Sequence, residues 1–513
     1  MHQQNVTPPS EDHRQYPKCG SDPHPTAAVS RADGWTDAPF GLVRGACGCA
    51  GAVVSHSLAR GVADGPSPEE AVVSEERATE PQETRELDKV LSDPGYLKLL
   101  ALSALVGVPV SLAAFGFLVL EHAAQHWLWD DLPHALGYSA VPWWWPLPLL
   151  TVAGLIVAWV VSVFPGHGGH LPVDGVGGGP VLPSAVPGVV VAALASLSLG
   201  AVLGPEAPLM ALGSGLALLA VRAARRAQAP QLTAVLGTAG ATAAIAAVFG
   251  NPLVAFVLII EAAGIGGAQL IALILPCMLA SGVGALVFTG FGRWTGLGTG
   301  ALSLPVLPPS EALSLGDFLW GIPLAAAIAV GSVVAMTFAR KTSEWTAKRP
   351  ASRTVACAVA VGVFAAGYGL STGRSPAEAA LSGQATLADL AAAPHAWPVS
   401  ALILLLVFKG LAWTFSLAAL RGGPVFPALL IGAAAAVLCS PLPGFGLAPG
   451  LAVGLAAAGA AVLRLPIAGM VLATLLLGPD AVAQMPVLVV ASVVSFVCAE
   501  LLRGRRTLRK PAP

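Results

Sequence analysis

Apolar residues dominate stretches at 97–120, 146–164, 186–203, 231–248, 252–262, 268–289, 318–339, 354–370, 397–420, 425–439, 446–463 and 479–502. They are rich in Ala, Leu and Val, and many approach the ~20 residues that cross a hydrocarbon core as a helix. The pattern therefore predicts an all-α integral membrane protein. Several runs are only ~11–15 residues long and are cut by Gly and Pro, as half-spanning or re-entrant helices are. Their open backbone is tolerable at membrane depth only where it lines a protein cavity. That combination points to transport.

Composition agrees: 55% of the 513 residues are hydrophobic, 11% are charged and the mean hydropathy is +0.74. Such a chain has too little polar surface for a soluble protein of its size. A formal net charge of −1 gives no global field for nucleic acid. Local charge says more. Arg222/Arg225/Arg226, Arg340/Lys341 with Lys348/Arg349/Arg353, and Arg503/Arg505/Arg506/Arg509/Lys510 form basic clusters. Excess Lys and Arg in short loops marks the cytoplasmic side, so both termini are expected inside an inner (plasma) membrane. Residues 1–95 combine Pro, Ser, Gly and His with acids from Glu69 to Glu86, and are expected to form a disordered cytoplasmic tail without a secretory signal. Residues 96–505 are expected to form the membrane unit, in repeats of about 96–289 and 315–502, and 506–513 a short basic tail.

Of the seven cysteines, Cys277, Cys357, Cys439 and Cys498 sit singly in apolar runs, which suits small buried hydrophobes. Cys47 and Cys49 offer two thiolates without nearby co-ligands, and His167 and His170 lack a carboxylate or thiolate partner. Neither pair makes a metal site. No cofactor is expected.

The most informative pattern is an internal repeat. Gly204-Pro205-Glu206-Ala207-Pro208 is followed by Gly213, and Gly423-Pro424-Val425-Phe426-Pro427 by Gly432, matching at one offset (423 − 204 = 219). Downstream, Ala246-Ala247-Val248 with Pro252, Val257 and Leu258 matches Ala460-Ala461-Val462 with Pro466, Val471 and Leu472, at an offset of 214 (460 − 246). If both Gly-Pro units open helices at symmetry-related places, their starts converge near the bilayer midplane.

A proline in the first helical turn removes only an amide that would be unpaired anyway, while the next amides stay free. Oriented N–H groups and a partial positive charge then bind an anion without a full cation in hydrocarbon. A third Gly-rich entry is Gly166-His167-Gly168-Gly169-His170-Leu171-Pro172. Glu206 stands out: an intramembrane carboxylate costs about 2.5–3.5 kcal/mol or more when ionised, which marks it as functional. At a helix start its charge occupies the place a permeant anion would take, so it can act as a gate that leaves when protonated or displaced. A capping carboxylate without a gating role is the alternative.

These residues resemble the CLC family of chloride channels and chloride/proton exchangers, over roughly 96–505. The family's GREGP-type turn resembles Gly204 to Pro208, which puts its gating glutamate at Glu206. Its GxFxP-type turn resembles Gly423 to Pro427, its GSGIP-type turn resembles Gly168-Gly169-His170-Leu171-Pro172, and its N-A-P-L-x-G-x-x-F-x-x-E stretch is similar to Asn251-Pro252-Leu253 through Glu261. The resemblance implies an inverted-repeat bundle of tilted and broken helices, a homodimer in the lipid bilayer, and a small inorganic anion, chloride first, as substrate. The implied anion-binding positions are Gly168, Gly169, His170, Leu171, Gly204, Ala207, Gly423, Val425 and Phe426. Departures matter equally. The family's hydroxyl is replaced by Gly169, no tyrosine follows Tyr368, Pro424 removes one amide, and Ala262 stands where exchangers often carry an inner proton-transfer glutamate.

The expected function is anion transport through a pore gated by Glu206. The alternative is a proton-coupled exchanger for chloride, fluoride or nitrate. An integral membrane enzyme finds no support, because the sequence shows no paired carboxylates, HExxH or nucleophile–base pattern. Lys409 reads as a snorkelling or interfacial lysine, and Trp143, Trp144 and Trp145 as an interfacial aromatic belt.

Overall fold

A computed structural model describes residues 91–175, 179–223, 230–297 and 313–507, with positions 88 and 304. The acidic tail with Cys47 and Cys49, and Arg225, Arg226, Arg509 and Lys510, lie outside the described residues. Of the two units into which the chain divides, the described residues all belong to that from Val73 to Pro513.

The helices are α1 (Pro94–His126), α2 (Pro146–Val163), α3 (Val186–Ser198), α4 (Glu206–Ala223), α5 (Pro230–Phe249), α6 (Pro252–Ala263), α7 (Gly267–Thr295), α8 (Leu315–Ala347), α9 (Pro350–Thr372), α10 (Gln384–Ala392), α11 (Val399–Ala419), α12 (Val425–Cys439), α13 (Leu447–Leu463), α14 (Pro466–Leu477) and α15 (Ala481–Thr507). Their starts follow local chemistry. Proline sits in the first turn of α2, α6, α9 and α14, where its missing amide costs nothing. The Asn251 side chain caps α6 by accepting from Leu253 N–H at 2.8 Å. Ser314 and Asp317 form a capping box on α8, and the other Asp317 oxygen accepts from Gly446 N–H at 3.0 Å, tying the start of α8 to the α12–α13 turn.

Among the described residues, seven helical stretches are long and apolar enough to cross a membrane, while α3, α5, α6, α12 and α13 are shorter apolar helices. The short runs predicted from sequence are therefore short helices. Two features differ from the sequence reading. Helix α1 runs on past its apolar stretch through a π-helical turn to Ala135, with Glu121 and Gln125 hydrogen-bonded to each other on its face. Helix α10 lies in a polar stretch that offers no apolar run.

The packing is duplicated. Helix α4 lies on α5 as α12 lies on α13, α1 on α7 as α8 on α15, and α5 on α7 as α13 on α15, while α6 meets its counterpart α14 across the middle. The repeated Gly213 and Gly432 now have a physical reason. A Cβ on Gly213 would overlap the Gly240 carbonyl oxygen, and one on Gly432 the Gly454 carbonyl oxygen, so the two α-hairpins cross backbone to backbone.

Helices α12 and α13 are buried nearly all round, as helices apolar on every side must be. The outer helices instead expose large apolar side chains, including Leu105, Leu286 and Val482, at 67–78% of their surface. Apolar surface of that extent suits acyl chains rather than water, and the chain is a multi-pass membrane protein.

Candidate functional site

The two Gly-Pro turns touch. Gly204 N–H donates to Gly423 O at 2.8 Å and Gly423 N–H donates to Gly204 O at 2.5 Å, an isolated antiparallel bridge at the centre of the bundle. An antiparallel pair sends its two strands in opposite directions, so the two matching turns run opposite ways where they touch. Ser196 of α3 accepts from Arg421 N–H at 3.1 Å, and Ser416 of α11 accepts from Val202 N–H at 3.2 Å. Each half thus uses a helix-terminal hydroxyl to hold the other half's turn.

Glu206, the first residue of α4, is fully buried at this seam. Its Oε1 accepts from Phe426 N–H in the first turn of α12 at 3.1 Å, and the Val425 amide faces the same carboxylate. Oε2 accepts no hydrogen bond among the described residues. It lies against Gly423 and Gly204, where a Cβ on either glycine would overlap it. No positive φ is recorded at these two glycines; they are glycine because a carboxylate fills the space a side chain would need. The expected sites Gly204, Glu206, Ala207, Gly423, Val425 and Phe426 are thereby brought together, with the Phe426 ring stacked near Phe249 at 5.5 Å between centroids.

The first Gly-rich turn joins this seam through a residue that sequence reasoning missed. Arg421, next but one to Gly423, is buried, and its Nη2 donates to His167 O at 2.9 Å while Nη1 donates to Ala419 O and Leu420 O at 3.3 Å. Gly168 is buried beside the guanidinium: a Cβ there would stand 3.3 Å from Arg421 Nε. Gly168 and Gly169 have φ of +78° and +92°, which favours glycine whatever the surroundings. Leu171 is half-buried, and His170 is exposed. The sequence signal was present, an arginine closing the run at 397–420 directly before Gly422-Gly423.

Three further residues take places that sequence did not give them. Glu261 accepts from Ile467 N–H at 2.9 Å and Ala468 N–H at 2.7 Å, so it caps α14 in the opposite half. Lys409 neither snorkels nor reaches an interface. It is fully buried, and its ammonium donates to the carbonyls of Glu378, Ala380 and Leu381 at 2.8–3.2 Å, because the 378–381 segment turns inward with those carbonyls otherwise unmet. Trp145 is no belt residue but part of the core, donating to Leu128 O at 3.0 Å; Trp143 alone of the three is exposed.

A cavity of about 450 Å³ has Pro205, the residue before Glu206, among its lining. Glu121, His122, Glu378 and Asp389 are among its lining. Glu378 is held by Tyr368 Oη at 2.5 Å and by Arg374 Nε at 2.9 Å, and its hydrogen bond raises the Arg374 pKa above the usual arginine value. Among the described residues no His, Cys, Asp and Glu group is placed to hold a metal.

Comparison with known proteins places this geometry. The putative ion-transport protein YfeO of Salmonella paratyphi A is 36% identical over 160 residues, 31% of this chain and 38% of that relative, and YfeO of Salmonella newport matches to the same extent. The chain thus spans about two fifths of the length of these curated relatives. Among solved structures, a slow cyanobacterial Cl−/H+ antiporter superposes with a TM-score of 0.63 at 19% identity, covering 80% of this chain and 98% of that one. A CLC-type fluoride/proton antiporter gives 0.61 at 19% identity, with 79% and 96% covered, and a eukaryotic CLC transporter 0.60 at 18%, with 79% and 72% covered. At such identities the likeness is one of fold. The family model described as "Voltage gated chloride channel" matches residues 153–500, more than half of the sequence, and the chain belongs to that CLC family.

Proposed function

We propose that the protein carries chloride or a similar small inorganic anion through the seam between its duplicated turns, with Glu206 as the gate. One observation carries the reading: a fully buried carboxylate accepts from a first-turn amide of the helix that opens opposite it. Helix starts attract anions, and here the chain's own acid occupies that place. A permeating anion and the carboxylate compete for the same amides, so protonation or displacement of Glu206 frees them.

Residues 96–505 form the transport unit, flanked by tails at 1–95 and 506–513. The basic residues at the α8–α9 turn and Arg503 near the end of α15 support a cytoplasmic side for those ends in an inner membrane, since Lys and Arg concentrate there. A homodimer is the expected assembly. Reconstitution into liposomes tests the function: chloride efflux above that of protein-free vesicles supports it, and its absence with chloride, fluoride and nitrate alike refutes it.

A second reading, proton-coupled exchange, draws on the acid-lined cavity that Pro205 helps to line and on two structural relatives described as proton antiporters. Carboxylates and a histidine line that cavity, groups able to exchange protons in the neighbourhood of the residue before Glu206. Against it stands Ala262, which has no proton to transfer. Proton uphill movement driven by a chloride gradient separates the readings.

A further inference from the structure

We propose that Arg421 is an anion-binding cation of the pathway, holding a permeating monovalent anion beside Gly168; this deepens the transport reading and rests on it. Arg421 is 6% exposed, and among the described residues it forms no ion pair. Asp174 acts on it only through space and is itself exposed to screening. A buried charge without a counter-charge is costly. The donors show how far that charge is met. Three carbonyl oxygens, those of His167, Ala419 and Leu420, engage the two terminal nitrogens, while Nε has no hydrogen-bond partner among the described residues.

Lys409 supplies the contrast within the same chain. Its ammonium has three donors and three carbonyls to receive them, a closed structural clamp. Arg421 has five donors and three carbonyls, and its open Nε–H lies beside Gly168, where a Cβ would already stand 3.2–3.4 Å from Ala192, Nε and Val160, so only glycine lets the backbone approach the guanidinium. An anion seated there supplies both the absent acceptor and the absent charge. Three carbonyl dipoles already offset part of the guanidinium's charge, which keeps such binding weak enough for release.

The repeat isolates the residue. Arg421 corresponds at the 219 offset to Val202, and both donate their backbone N–H to a serine of the opposite half. The scaffold needs that amide in both halves but a guanidinium in only one. A cation here also replaces what the Gly-rich turn lacks, since Gly169 brings no hydroxyl.

The test is chloride titration by calorimetry on purified protein, with liposome efflux alongside. Arg421→Gln is expected to bind chloride at least tenfold more weakly than wild type, and Arg421→Lys, which keeps the charge, to lose less. A folded Arg421→Gln protein with affinity within twofold of wild type overturns the proposal, as does an equal loss in the Lys and Gln variants. Should Arg421→Gln not fold, Gly168→Ala serves, because it keeps the arginine and sets a methyl group against Nε: weakened binding supports the site, and wild-type affinity overturns it. Wild-type protein that neither binds nor passes any anion would sink the transport reading itself. Efflux with an unchanged Arg421→Gln affinity sinks this inference alone.

Discussion

Gly423→Ala tests the gate most directly, because the methyl group it adds lands on the Glu206 carboxylate. A Cβ at 423 overlaps Oε2, comes within 2.6 Å of Cδ and within 3.2 Å of the Glu206 Cβ. The carboxylate must leave its place or the Gly204–Gly423 bridge must open. The side chain is the softer of the two, held in the seam by one hydrogen bond from Phe426 against the bridge's pair. A hydrogen bond to a charged group contributes about 1.5–3 kcal/mol, and every 1.4 kcal/mol is about tenfold. Losing it shifts the seated-to-displaced ratio by roughly 10- to 100-fold. Chloride efflux from liposomes across a pH series reads this out: the variant should pass chloride about tenfold faster where the wild type is closed, with a flattened pH profile. In a Glu206→Ala background the same change meets only the remaining Cβ and should be nearly neutral, giving a non-additive cycle. Wild-type rate and pH profile in a folded Gly423→Ala protein refute the reasoning. So does a fall in efflux of equal size in both backgrounds, which reports a blocked path and not a displaced acid.

Glu206→Gln should mimic the protonated gate, raising efflux or abolishing its pH dependence; unchanged pH-dependent efflux refutes gating by this residue. Lys409→Met should leave three buried carbonyls unmet and destabilise the fold by about 3 kcal/mol or more, lowering the thermal midpoint in detergent while chloride affinity in the surviving folded fraction stays at the wild-type value. Gly432→Leu should fail at the α12–α13 crossing, with an overpacking cost of at least about 1–3 kcal/mol seen as thermal destabilisation, and Gly213→Leu should do the same at α4–α5. Gly169→Leu should weaken chloride binding, since the side chain would meet Val189 at 3.0 Å in a backbone of φ +92°; wild-type affinity would remove that turn from the site.

The membrane fold was legible because its signals are local. Runs of Ala, Leu and Val mark helices, and Gly-Pro units mark where they break, so the short helices and the meeting of Gly204 with Gly423 could be anticipated from spacing. What stayed hidden depends on partners distant in sequence. Lys409 looks like any lysine in an apolar run until the carbonyls of 378–381 are seen to converge on it. Glu261 reads as part of its own helix, yet its acceptors serve residues 467 and 468, 206 and 207 positions away. The serine pair Ser196 and Ser416 extends the repeat but carries no motif, since an isolated serine in an apolar helix has many uses. Arg421 was missed for a different reason: weak partial charges suit permeation, which turned attention from full cations.

The symmetry of the backbone and the asymmetry of its charges together account for the seam. Duplication supplies paired amides, paired serines and paired glycine crossings, and a pore lined only by these would treat the two halves alike. At the 219 offset, however, Glu206 faces the role of Val425 and Arg421 that of Val202, so the first half brings the acid and the second the guanidinium. The acid is seated by a first-turn amide of α12 and not by the guanidinium, since Arg421 forms no ion pair among the described residues. A cation without the acid would bind the permeating ion and have nothing to compete with it. If the two act in series along one path, neutralising both in Arg421→Gln/Glu206→Gln should give efflux that is insensitive to pH and saturates at higher chloride than either single variant. Efflux from the double variant that still closes with pH would mean that a third group, outside this seam, is the gate.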